Sequence, residues 1–111
     1  MAETDELATR IEATAAVIPG IERHAVAGGT RYLIDGVEFA ALSTRRASFR
    51  LRPDVAAAAL KTPDVQGSDL DPGWVDLTPM QLDQFVFDRA TSWFAAAARF
   101  AAEMEPGRRT H

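Results

Sequence analysis

TRYLIDGVEFAALS, Thr30–Ser43, is the stretch whose reading decides the fold. Asp35-Gly36 stands between two runs of strand-forming residues. Asp-Gly is a favoured centre for a two-residue hairpin turn because both positions must take positive φ. Such a turn fixes register, so Ile34 faces Val37, Leu33 faces Glu38 and Tyr32 faces Phe39. The expected inward face then carries Tyr32, Ile34, Val37, Phe39 and Ala41.

Toward the C-terminus, RRASFRLRPD (Arg45–Asp54) reads as the next strand, with Phe49 and Leu51 alternating against Ser48, Arg50 and Arg52. A two-residue turn at Thr44-Arg45 would set Arg50 opposite Phe39 and bury an unpaired charge, which carries a large desolvation cost. A three-residue loop, Thr44-Arg45-Arg46, avoids this by aligning Ala41 with Phe49 and Phe39 with Leu51. That register predicts Ala40 opposite Arg50, and Glu38 opposite Arg52, on the outer face.

Pro53 suits the first turn of a short helix, PDVAAAALK, where its missing N–H costs nothing, and Pro63 closes it. PDVQGSDLDPG is polar and turn-rich and reads as a mobile loop. WVDL is a short further strand with Val75 and Leu77 inward and Trp74 and Asp76 outward. Thr78-Pro79-Met80-Gln81 combines an N-cap, a proline at N1 and a capping-box glutamine. It predicts the start of the longest helix, with Leu82, Phe85, Val86, Ala90, Trp93, Phe94, Ala97 and Met104 on the buried side.

Toward the N-terminus, IERHAVAG reads as a strand closed by Gly28-Gly29. Before it, Leu7, Ile11, Ala15 and Ile18 form an apolar stripe at helical steps, capped by Thr4 or Asp5 and ended by Pro19-Gly20. The order is helix, four-stranded meander, short helix, strand, long helix. It predicts a two-layer α+β domain, an antiparallel sheet of about five strands covered on one face by the N- and C-terminal helices. Residues 1–105 form that single domain, and 106–111 are read as a flexible tail.

Composition agrees. The chain has 111 residues, room for one ordinary domain, and a formal charge of −4. It has no cysteine and two histidines, so disulfide and thiolate chemistry are out of reach and no histidine metal cluster, or other cofactor, is expected. The first residues are acidic and lack the basic start of a secretory signal, and no run suffices for a membrane span. A cytoplasmic protein without a membrane partner is the expectation.

Leu7–Ala101 resembles the MmcQ/YjbR family. The resemblance rests on Pro19-Gly20 after the first helix, DGVEFAALS, FRLRPD, GWVDL, and Ser92-Trp93 in the last helix. The family carries a similar run "gk-x-fa-x-l", then "l-x-l-x-p-e", then a tryptophan-containing strand. The resemblance implies a CyaY-like fold and a DNA-binding label, with no catalytic residues to carry over. Lysine-like positions of the family appear here as Arg50 and Arg52, and the segment before Trp74 is compact.

From the residues themselves, Arg31, Arg50 and Arg52 share the expected outer sheet face, flanked by Leu33, Ala40, Leu42 and Ser48, with Trp74 beside them. Arginines next to a flat indole can hold phosphate while the ring stacks on a base, so nucleic acid or another anionic partner is the leading expectation. The competing reading is a solvated polar face in which Glu38 neutralises Arg52. A protein–protein module or a small-ligand site remains the alternative. The acid balance of the whole chain counts against a strong polyanion binder. No serine has an evident histidine partner, and the Asp69–Asp71–Asp76 cluster lacks a calcium-loop ligand set, so a non-enzymatic protein is expected.

Overall fold

The computed structural model describes residues 2–43, 46–67, 73–79 and 83–103, and of residues 2–5 the backbone alone. In chain order the elements are α1 (Ala2–Ala16), β1 (Ile21–Val26), β2 (Gly29–Ile34), β3 (Val37–Ser43) and β4 (Arg46–Arg50). They continue with α2 (Pro53–Ala59), β5 (Val65–Gly67), β6 (Trp74–Leu77) and α3 (Gln84–Glu103). The six strands form one antiparallel sheet in the order β1-β2-β3-β4-β6-β5. The fold is therefore α+β, with one strand more than expected. The additional strand, β5, lies in the segment read as a loop, where Val65, Gln66 and Gly67 pair with Leu77, Asp76 and Val75.

The Asp-Gly hairpin forms as the residues demand, with φ of 52° at Asp35 and 78° at Gly36, and Ile34 opposite Val37. One step further the register departs from expectation. Leu33 faces Glu38 but Tyr32 faces Ala40, so Phe39 is an extra residue in β3, a β-bulge. Both Phe39 and Ala40 are buried, and beyond them the alternation is reversed. Ala41, expected inside, joins the outer face, while Ala40 and Leu42, expected outside, turn toward the core.

The bulge also corrects the next connection. Ser43 pairs with Arg46 and Ala40 with Phe49, so the link is the two-residue one, and residues 44 and 45 lie outside the described set. The parity change that keeps Arg50 out of the core is supplied inside β3. Leu51 and Arg52 then leave the ladder: Leu51 N–H bonds the Gly73 carbonyl at 2.9 Å, and Arg52 precedes α2, so the expected Glu38–Arg52 pair does not form. The β1–β2 turn is centred on Ala27-Gly28, not Gly28-Gly29. Gly29 begins β2, where a Cβ would come within 2.0 Å of the Leu42 carbonyl oxygen.

All three helices contribute to one apolar core against one sheet face. From α1 come Leu7, Ile11 and Ala15; the helix begins before the expected cap at Thr4 or Asp5, whose side chains lie outside the described set. From α3, Phe94 meets Tyr32 and Phe39 edge-on, at centroid distances of 5.0 and 5.2 Å. Ala97, Ala98 and Ala101 let the helix lie close, since small side chains shorten the layer spacing. Trp93 is half-buried, its ring centre 6.2 Å from that of Phe49.

α3 starts later than the capping motif suggests. Thr78 N–H bonds the Asp64 carbonyl at 2.9 Å, and Asp83 caps the helix through Oδ1, which accepts from Val86 N–H at 3.0 Å. Phe85, expected inside, is 74% exposed, and its place is taken by Phe87, which lies on the Ala90–Phe94 stripe. Met80, Gln81, Leu82, Met104 and the tail lie outside the described residues. Among the described residues no helix is long and apolar enough to cross a membrane.

Candidate binding face

Among the described residues no helix contributes to the core from the opposite face of the sheet, which is the outer face. The registers place His24, Arg31, Ala41, Ser48, Asp76 and Gln66 in one row across all six strands. Val26, Gly29, Ser43 and Arg46 form the next row. The central strands present three small groups side by side here, Ala41 and Ser43 on β3 and Ser48 on β4, while the longer Glu38 of β3 and Arg46 of β4 stand at their margins with Arg31 of β2. The result is a shallow trough of about 750 Å³.

Two arginine–carboxylate pairs border it. Arg31 grips Glu38 through both Nε, at 2.9 Å from Oε2, and Nη2, which meets Oε1. The Glu38 bond and its charge raise the guanidinium further above its already high ordinary value. On the other side, Asp76 accepts Ser48 Oγ–H at 2.7 Å, and its second oxygen lies 3.6 Å from Arg46 Nη1. The Asp76 side chain is only 10% exposed despite its outward direction. Ser48 on β4 and Gln66 on β5 flank it as cross-strand neighbours.

The four residues expected to form one anion site do not come together. Arg31 is on the face but committed to Glu38, the role expected of Arg52. Arg52 leaves the face altogether: its Nη1 bonds Glu103 Oε1 at 2.6 Å, and its guanidinium lies 5.7 Å from the Phe100 ring centre on the helical side. The peptide geometry explains this, because the strand ends at Arg50 and Pro53 opens a helix in the other layer. Arg50 and Trp74 are direct cross-strand partners, both half-buried. Arg50 makes no ion pair with a described residue.

Sequence reasoning passed over Arg46, Ser48 and Asp76 as site residues. WVDL did place Asp76 outward, but it was grouped with Asp69 and Asp71 as a solvated carboxylate cluster. Only the additional strand encloses it. His24, in the same row, stands three strands from Ser48, roughly 14 Å at ordinary strand spacing. No group of three or more potential metal ligands occurs among the described residues.

A second polar cluster lies on the helical side. Tyr32 Oη donates to Glu12 Oε2 at 2.6 Å, and Arg23 Nε meets Glu12 Oε1 at 2.7 Å. Burial, and then the Glu12 bond, push the phenol well above its ordinary pKa of 10.0. This network fastens α1 to β1 and β2 and faces away from the trough.

The chain matches no protein-family model, no curated protein and no solved structure.

Proposed function

We propose that this protein is a non-enzymatic binding module whose outer sheet face takes a small polar ligand. The observation that carries the reading is the trough itself, a floor of Ala41, Ser43 and Ser48 between the Arg31–Glu38 and Arg46–Asp76 pairs. A solvated sheet face ordinarily carries long side chains on its central strands. Here three adjacent positions, Ala41, Ser43 and Ser48, are short, and the charges of Glu38, Arg46, Arg31 and Asp76 around them balance. Balanced, separated charges suit a dipolar molecule better than a polyanion, whose binding draws on unpaired cations. The test is a small-ligand screen read by backbone amide shifts. Saturable shifts centred on Ala41, Ser43 and Ser48 support the reading, and their absence at millimolar ligand contradicts it.

One observation favours a second reading, contact with single-stranded nucleic acid. Arg50 lacks an ion pair among described residues and stands across from Trp74, a cation beside a stacking surface. The resemblance to the MmcQ/YjbR family, with its DNA-binding label, points the same way. With Arg50 as the only phosphate contact, the salt dependence on a single strand should be shallow, a log–log slope of about −0.7 instead of the value near −2 that three contacts would give. Fluorescence anisotropy of short oligonucleotides at two salt concentrations decides it. No binding at low salt removes this reading.

A further inference from the structure

Asp76 gives the trough a chemical preference. Its side chain, at the border of the trough, is nine-tenths buried, yet only Oδ1 is hydrogen-bonded by a described residue. Oδ2 meets Arg46 Nη1 at 3.6 Å, beyond hydrogen-bond range, and Arg46 is 54% exposed and free to swing. No described side-chain oxygen is both sealed from solvent and without a partner, so Oδ2 is not a buried unsatisfied atom; its one ion pair among the described residues is loose, which leaves it available to a stronger donor. An ammonium group delivered by a ligand would satisfy Oδ2 directly. The displaced Arg46 guanidinium would then be available for an anionic group on the same molecule, in the planar two-donor geometry that suits carboxylates.

We propose that the trough recognises zwitterions of the amino-acid type: the ligand ammonium bonds Asp76, its carboxylate bonds Arg46, and its side chain lies along Ser48 and Ala41. Ser48 is a positioning residue, because its hydroxyl fixes the Asp76 carboxylate through Oδ1 and leaves Oδ2 directed at the ligand. This inference rests on the reading of the outer face as a small-ligand site and narrows it to one ligand class.

The experiment titrates the full chain with pooled free amino acids, with the N-acetylated pool, which lacks the cation, and with the amidated pool, which lacks the anion. Amide shifts of Ser48 and Asp76 are the readout. The expected result is saturable binding of the free pool and at least tenfold weaker binding of either blocked pool. Arg46→Gln, an exposed substitution that leaves the core untouched, should weaken the free pool at least tenfold and leave the amidated pool unchanged. Asp76→Asn, which keeps the size of the side chain, should weaken the free and amidated pools alike. Equal binding of the N-acetylated pool, or wild-type affinity in Arg46→Gln, overturns the inference. If other small polar ligands shift these amides while amino acids do not, the inference fails and the binding face stands. If no small ligand shifts them, both fail.

Discussion

Raising the pH should expose the Tyr32–Glu12 bond as a stabilising contact. Tyr32 is the one tyrosine in the chain, so tyrosinate absorbance reports it alone. Its ring is buried at 1% exposure, its hydroxyl donates to Glu12 at 2.6 Å, and the folded-state pKa lies well above the ordinary 10.0. The proton is therefore held by the folded state at a pH where the unfolded chain releases it. The stabilisation is complete below pH 10.0 and is lost as pH rises from there toward the folded value, at up to about 1.4 kcal/mol per pH unit. Tyr32→Phe removes this slope and loses a charge-assisted bond worth about 1.5–3 kcal/mol, nearer the lower figure because Arg23 still satisfies Glu12. Urea unfolding at a series of alkaline pH values, with parallel absorbance titration, measures both effects. A normal tyrosinate rise near pH 10.0 in the folded protein would refute the reasoning.

Three stability predictions follow from single contacts. Phe94→Ala, which empties the space between Tyr32 and Phe39, should cost about 3–5 kcal/mol in chemical denaturation. Gly29→Ala forces a Cβ against the Leu42 carbonyl and should cost about 1–3 kcal/mol, with faster amide exchange at the β2–β3 pairs nearest Ser43. Asp83→Ala removes the α3 cap and should lower stability by about 0.5–2 kcal/mol, whereas Asp83→Asn should lose much less.

Local chemistry made much of this fold legible. Asp35-Gly36 dictated its turn through backbone conformation, Pro53 its helix start, and the Leu7–Ile11–Ala15 stripe its buried face. Each depends on residues within one or two turns of chain. The bulge at Phe39 was not legible in the same way. The requirement for an odd residue between the Asp-Gly turn and Phe49 was readable from the need to keep Arg50 out of the core. Whether β3 or the following loop would absorb it was not, because either restores the same alternation at Phe49. The consequence is large: it exchanges Ala40 with Ala41 and so changes what floors the trough. Asp76 was hidden for another reason. Its enclosure depends on β5, three residues whose pairing comes from the free edge of β6 and not from any strand pattern of their own. Arg52 was misplaced because alternation was carried one residue past the strand, into the approach to α2.

The exchange at Ala40 and Ala41 is also the most direct point at which to test the outer face. The chain has no cysteine, so Ala40→Cys and Ala41→Cys each carry a single thiol. Labelling rates with a small thiol reagent under native conditions read the side-chain direction of each. Ala41→Cys should label readily, and more slowly when a ligand fills the trough, while Ala40→Cys, at a position only 2% exposed, should be protected. A reactive thiol at position 40 with a protected one at 41 would mean that β3 carries no bulge, and the trough as described would not exist.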